Sequence, residues 1–268
     1  MPTVDLDGTR LHYLDSGAGE PAVVLLHAFP LHAGMWKPQI EALQGRARVI
    51  TPDLAGFGGS HAPDDPGAYS VDGWADSVAA LADHLGLDRV VLGGLSMGGY
   101  AAFSFVRRHR DRLAGLVLAD TRPGPDTAEV ADRRSSQQRQ VSAEGTAGLI
   151  ETLLQGLLGD HTRQHHPDLV ERVRGLMDNP PAGFVGALEA MKRRPDSTPV
   201  LAGIHVPTVV VVGDQDGPSP PAVAREMQTA IPGATLAVLP RAGHLSNLEA
   251  PDAFNQVMAD LLARCQSA

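Results

Sequence analysis

A serine attacks a carbonyl only when a base takes its proton, and one serine in this sequence sits in a setting suited to that. It lies in Gly94-Leu95-Ser96-Met97-Gly98, directly after the apolar run at 89–92 and directly before a stretch of helical spacing. G-x-S-x-G between a strand and a helix places the serine on a tight, strained turn, where residues two before and two after must be small for the flanking elements to approach. Gly94 and Gly98 meet that need. A serine so placed needs a base, and the base needs a carboxylate to orient it, following in the order acid and then histidine. The run at 208–212 ends in Gly213-Asp214-Gln215-Asp216-Gly217, and the run at 235–239 is followed by Pro240-Arg241-Ala242-Gly243-His244. His244 is the expected base. Asp214 lies immediately beyond its strand, whereas Asp216 lies further into the loop, from which a side chain can cross to a neighbouring loop. Asp216 is therefore the expected acid.

The oxyanion formed by such an attack must be held by preorganised N–H groups. Met97, next to the serine at a helix N-terminus, supplies one. The loop after the run at 22–26, His27-Ala28-Phe29-Pro30, should supply the other, with Phe29 as donor. Pro30 has no N–H and biases Phe29 towards extended backbone.

The elements that must position these residues are legible as period and punctuation. Short Val- and Leu-rich runs closed by Gly, Asp or Pro occur at 22–26, 48–50, 89–92, 113–119, 208–212 and 235–239 and read as buried strands. Apolar residues three or four apart at 71–85, 98–108, 220–231 and 252–263 read as helices between them. This alternation predicts an α/β fold, a mostly parallel sheet with helices on both faces. Two β-like pieces at 3–6 and 10–14, joined by an Asp7-Gly8 turn, predict an antiparallel hairpin at one edge.

The alternation stops after Asp120 and resumes at Pro207. Residues 122–205 hold helix-like stretches at 147–158, 167–178 and 182–194 without a strong strand, which predicts a helical cap inserted after the sixth strand. The core domain is then 1–121 together with 206–268. The cap should roof the serine, with Leu153, Leu157, Phe184 and Leu188 as apolar candidates for substrate contact. Arg193 and Arg194 could face an anionic substrate, but the expectation is that they are solvated or tie the cap to the core through Asp196.

Composition limits the alternatives. The 268 residues carry a formal charge of -9, with no basic face for nucleic acid or an anionic membrane. The single cysteine, Cys265, excludes an internal disulfide and a multi-Cys metal site. His161 and His165 have the i, i+4 spacing of metal ligands but no H-E-x-x-H frame, so with His166 they read as a solvated loop, and no metal is expected. Gly93 to Gly98 lacks G-x-G-x-x-G spacing, so no dinucleotide or other cofactor is expected either. The first residues lack the charged and apolar regions of a secretory leader, and the expected location is cytoplasmic. A small-molecule ester or lactone is the expected partner, and homo-oligomerisation is left open.

Taken together these residues resemble the α/β-hydrolase superfamily over nearly all of the chain outside the cap. The resemblance rests on His27-Ala28-Phe29-Pro30, similar to an HGxP oxyanion loop with Ala28 in place of the usual glycine. It rests also on Asp53-Leu54-Ala55-Gly56-Phe57-Gly58-Gly59-Ser60, similar to a D-x-x-G-x-G-x-S turn, on the Ser96 elbow, and on Asp216 and His244. Residues 27–36 and Ser96-Met97-Gly98-Gly99 look like the cofactor-free haloperoxidase, perhydrolase and aryl-esterase group, while residues 216–221 and 244–251 look like the 3-oxoadipate enol-lactonase branch. The resemblance implies a serine esterase or lactonase working through an acyl-Ser96. Two other readings remain at this stage, peroxide replacing water as the second nucleophile, and a non-catalytic ligand receptor on the same fold.

Overall fold

The computed structural model describes residues 2–6 and 9–267. Eight strands form one sheet in the order β1-β2-β4-β3-β5-β6-β7-β8. They are β1 (Thr3–Leu6), β2 (Thr9–Asp15), β3 (Ala22–Leu26), β4 (Arg48–Pro52), β5 (Val90–Leu95), β6 (Leu113–Ala119), β7 (Thr208–Gly213) and β8 (Thr235–Leu239). β1 pairs antiparallel with β2, and β2 with β4, while every pairing from β4 across to β8 is parallel. The expected edge hairpin is therefore present; its Asp7-Gly8 turn lies outside the described residues.

The helices outside the long insertion are α1 (Lys37–Ala42), α2 (Val71–His84), α3 (Met97–Arg108), α9 (Pro221–Ala230), α10 (Ser246–Glu249) and α11 (Pro251–Gln266). α11, with α1 beside it, packs on β6, β7 and β8; α3 packs on β3, β5 and β6 with α2 against it, and α9 covers β7 and β8. Covered on both faces, β3, β5 and β7 are buried at every residue, which is why their sequences are continuous apolar runs and not alternating ones. No described helix is long and apolar enough to cross a membrane.

Because β3, β5, β6, β7 and β8 are parallel, their C-terminal ends share one edge of the sheet, the usual place for a site in such folds. The sequence reading stops the fifth strand at residue 92 and begins the next helix at 98. In the structure β5 runs on to Leu95 and α3 starts at Met97, so Gly93 and Gly94 belong to the strand and the turn is compressed to Ser96.

Between β6 and β7 lie five helices, α4 (Ala128–Glu144), α5 (Ala147–Leu157), α6 (Asp160–His165), α7 (Pro167–Leu176) and α8 (Pro181–Lys192), where the sequence pattern predicts three. α4 has 17 residues but only Val141 is buried, so it has almost no apolar period to read. It starts at an N-cap, Thr127, whose Oγ1 accepts from Val130 N–H. α8 lies against the core at two glycines. A Cβ on Gly183 would sit 1.9 Å from the Gly56 carbonyl oxygen, and one on Gly186 2.3 Å from the Tyr69 ring.

The turn from Asp53 to Ser60 braces the neighbouring loops. The buried Asp53 carboxylate accepts from Ala33 N–H at 2.7 Å and Gly59 N–H at 2.9 Å, and pairs with His12 Nδ1 at 2.6 Å. Gly58 has φ +53°, and a Cβ there would fall 2.0 Å from an Asp53 oxygen, so the motif's second glycine is required by the motif's own aspartate. Fully buried His27 joins this turn to the loop after β3. Its Nε2 accepts from Leu54 N–H at 2.9 Å, so its proton resides on Nδ1, which donates to the Ala28 carbonyl at 3.0 Å. Burial lowers its pKa from 6.5 to about 4, against the raising effects of the Ala28 bond and of Asp53.

Gly183→Ala should lower unfolding free energy by about 1–3 kcal/mol by urea denaturation, because α8 must lift off Gly56. Gly175→Ala, on exposed helix with nothing within 4 Å of the new Cβ, should raise it by about 0.5–1 kcal/mol. For His27 the folded state resists a proton that the unfolded chain accepts. Its contribution is therefore constant above pH 6.5 and is lost as pH falls from 6.5 to about 4. The slope is about 1.4 kcal/mol per pH unit, and His27→Gln should be free of this component when urea midpoints are compared at pH 7.5 and 4.5.

Candidate active site

Ser96 stands between β5 and α3 at φ 54°, ψ -110°, a backbone conformation that L residues rarely adopt. The surrounding backbone imposes it. A Cβ on Gly94 would lie 2.3 Å from the Gly98 carbonyl oxygen, and one on Gly98 2.2 Å from the Leu26 carbonyl oxygen. Strand, turn and helix thus approach to backbone contact, and the turn is pinned by Ser96 N–H to the Ala119 carbonyl at 2.9 Å and by Thr121 Oγ1 to the Ser96 carbonyl at 2.8 Å.

Ser96 Oγ lies 2.8 Å from His244 Nε2, and His244 Nδ1 lies 2.9 Å from each Asp216 carboxylate oxygen. A carboxylate only accepts, so the imidazole proton is on Nδ1 and Nε2 is left to accept from the serine. Asp216 also accepts from Ser219 N–H at 2.8 Å and, like His244, is buried. Asp214 is exposed and points to no member of this chain of bonds. The loops close on each other through glycines, since a Cβ on Gly213 would meet the Gly243 carbonyl oxygen at 2.1 Å.

A second carboxylate, Asp120, lies directly after β6 and is absent from the residues singled out by sequence. It is buried, has φ +46°, accepts from Gly213 N–H at 2.9 Å and is bonded to Ser246 Oγ. Burial, and then the charge of Asp216 nearby, push its pKa well above the usual carboxylate value, which favours its protonated form. It fixes the start of the Asp216 loop from below. Its position just past a strand end was the available signal.

Of the expected oxyanion donors, Met97 opens α3, and Phe29 follows Ala28 in the loop after β3. Neither N–H has a hydrogen-bond partner among the described residues. Ala28 is accommodated where glycine is usual, because its φ is not in the left-handed region; its N–H is taken by Met35 Sδ. Phe29 packs edge-on against Phe57 and Phe184, with ring centroids 6.2 and 5.5 Å apart.

A cavity of about 540 Å³ opens above Ser96, with Phe29, His244, Leu153, Leu157 and Met191 among its lining residues. Two of the four expected cap contacts therefore reach it. Phe184 and Leu188 do not: both are fully buried in the packing of α8, with Phe184 behind Phe29. Helical spacing marks a buried face without saying whether a cavity or a neighbouring element covers it. Arg193 meets the expectation in part, being exposed and bonded to the core but without Asp196, whereas Arg194 is buried. Arg193 donates to the carbonyls of Gly67 and Tyr69, tying α8 to the core, while Arg194 bonds Asp126 Oδ1 at 2.6 Å; Asp196 pairs with neither and caps Thr198 N–H. His161 and His165 stack at 4.7 Å on the surface, and no three His, Cys, Asp or Glu side chains among the described residues could hold a metal ion. Cys265 is half-buried against β6, and that burial raises its thiol pKa.

His244 is also tied to the inserted helices. His244 N–H donates to the Leu157 carbonyl at 2.8 Å. Glu249 Oε1 accepts from Gly243 and Leu245 N–H, on either side of His244, while its Oε2 accepts from Gly159 N–H and Thr162 Oγ1. Glu249→Ala should strand four donors and cut kcat at least ten-fold with a lowered melting temperature, whereas Glu249→Gln, which keeps one acceptor, should retain part of both.

The profile of the alpha/beta hydrolase fold family matches residues 21–251. Among solved structures, a thermophilic esterase from Thermogutta terrifontis, with malate bound, is 41% identical with a TM-score of 0.93 over 98% of this chain and 97% of that one. The enol-lactonase of Burkholderia xenovorans LB400 is 31% identical with a TM-score of 0.90, over 98% and 100%. A curated relative, 3-oxoadipate enol-lactonase 2 of Acinetobacter baylyi, is 28% identical over 98% of this chain and 96% of its own. With a strand–Ser96–helix turn, a histidine and an acid at successive ends of a largely parallel sheet, and a family match over most of its length, this chain belongs to the α/β-hydrolase family.

Proposed function

We propose that the protein is a serine hydrolase that cleaves a carboxylic ester or lactone of a small molecule through an acyl-Ser96 intermediate. The observation that carries this reading is the unbroken line of hydrogen bonds from Ser96 Oγ through His244 to Asp216, opening on a cavity large enough for a small ligand. The likeness to an esterase and to enol-lactonases supports the same bond type.

In this mechanism His244 Nε2 takes the Ser96 proton as Oγ bonds to the carbonyl carbon, and Asp216 stabilises the imidazolium that forms. The carbonyl oxygen becomes an oxyanion held by the N–H groups of Met97 and Phe29. Collapse breaks the bond to the alcohol oxygen, which leaves with the proton from His244 Nε2. Water then enters, gives a proton to His244 and attacks the acyl carbon, and the acid is released with Ser96 restored. Both N–H donors are preorganised by elements with other duties: Met97 by the helix start, and Phe29 by its rings behind and the Ala28 bond to Met35. Residues 122–205 serve as the cap, with Leu153 and Leu157 touching the substrate.

Acid release followed by pH-stat on short and long aliphatic esters, aryl esters and lactones tests this directly. Ser96→Ala should lower kcat on the order of 10⁴- to 10⁶-fold. Asp216→Asn should cost about 10⁴-fold, and Asp214→Asn no more than a few-fold. Equal background rates from wild type and Ser96→Ala on every substrate would overturn the reading and favour a ligand receptor.

A further inference from the structure

The lining of the cavity has a charge opposite to that of the chain. A protein with 31 acidic and 22 basic residues places three arginines, Arg122, Arg133 and Arg134, around the space above Ser96, and no aspartate or glutamate lines it. One carboxylate, Asp126, serves the group from behind. It is shared between Arg134, whose Nε bonds it at 2.5 Å, and Arg194, and these two cations lower its pKa against the effect of burial. The other two arginines have no carboxylate at all. Arg133 stands exposed on α4 without a hydrogen bond or ion pair among the described residues. Arg122, three residues past the end of β6, gives one bond to the Pro218 carbonyl, and its Nε is buried with no partner.

A buried guanidinium N–H left without an acceptor is costly, and such groups in folded proteins are nearly always satisfied. Its neighbours cannot supply an anion: the cavity wall beside it is Gly217, Pro218 and Ser219. A ligand in the cavity can. The planar fork of an arginine matches a carboxylate, and a partly desolvated site strengthens the pairing. The sequence reading raises such a contact at Arg193 and Arg194 only as the lesser alternative; Arg193 bonds carbonyls, and Arg194 bonds Asp126 and, although its Nε is also buried without a partner, does not line the cavity. Nothing in spacing or composition distinguished Arg122.

We infer that the substrate carries a free carboxylate besides the bond that is cleaved, held by Arg122 with Arg133 at the mouth of the cavity. The reaction itself is taken from the hydrolase reading above. Water and the ester give a dicarboxylic acid and an alcohol, or a lactone with a pendant carboxylate opens to a hydroxy diacid. The positive cavity also draws such an anion in, although the chain as a whole repels it.

The test compares the monoethyl esters of succinic, glutaric and adipic acids with uncharged ethyl esters of matched length. For at least one length, kcat/KM should favour the charged ester at least ten-fold in the wild type. Arg122→Gln should reduce that ratio ten- to hundred-fold, Arg122→Lys should restore part of it, and Arg133→Gln, at an exposed position, should lower it several-fold. Glutarate and adipate binding to Ser96→Ala, measured by calorimetry, should weaken in parallel. A wild-type ratio near one with uncharged esters turned over would overturn the inference and leave the hydrolase reading intact. Failure to hydrolyse any ester, charged or not, would remove the hydrolase reading, and the diacid would then decide on its own: binding that is lost in the Arg122→Gln protein supports the anion site, and no binding overturns it.

Discussion

Everything at the C-terminal edge of the sheet depends on how closely β5, the turn at Ser96 and the start of α3 approach each other and β3. Gly94 against the Gly98 carbonyl, and Gly98 against the Leu26 carbonyl, leave no room for a methyl group at either place. That contact forces Ser96 to φ 54° and raises its side chain above the strand ends. It also puts the Met97 N–H at the head of a twelve-residue helix and brings the loop carrying Phe29 alongside. The cost of an unfavourable backbone at one residue is offset by the packing of a sheet and a helix that are otherwise buried and regular.

The histidine and its acid are assembled by a second set of close contacts, and here polar groups take over from glycines. Asp120 and Glu249 are not bonded to Ser96, yet between them they fix the start of the loop that carries Asp216 and both flanks of His244. The burial of Asp120 is instructive. Asp120 sits close to Asp216 and is favoured in its protonated form, so a second full negative charge beside the imidazole is avoided while a hydrogen-bonding framework is kept. The inserted helices are part of that framework, because the Leu157 carbonyl is bonded directly to His244 N–H and Gly159 N–H to Glu249.

The sheet and the serine turn were legible because backbone constraints there leave a mark in residue type. Continuous apolar runs mark buried parallel strands, and glycines at fixed offsets mark a turn that tolerates nothing larger. The choice of Asp216 over Asp214 was legible from loop reach, and the geometry places Asp216 alone on His244. What escaped was decided by contacts distant in sequence. α4 carries one buried side chain in 17, so periodicity could not find it. Phe184 and Leu188 have the same helical spacing as Leu153 and Leu157, and only the path of the chain decides that the first pair faces packing and the second a cavity. Arg122 is one of ten Lys and Arg between residues 122 and 205, and its buried, unpartnered Nε is a property of three dimensions.

The bond from His244 N–H to the end of α5 has a consequence for how this scaffold can change over evolutionary time. The roof is not one replaceable part. α5 is bonded to His244 directly and α6 to its loop through Glu249, so insertions or shifts there displace the histidine along with the pocket. α4 carries Val130, Arg133, Arg134 and Gln137 to the same pocket, and its hydrogen bonds run to α8 and Asp126 and none to the histidine loop. Selection for a new ligand can rewrite α4 one residue at a time while the chemistry below stays intact. The helix least visible to pattern analysis is thus the one freest to diverge.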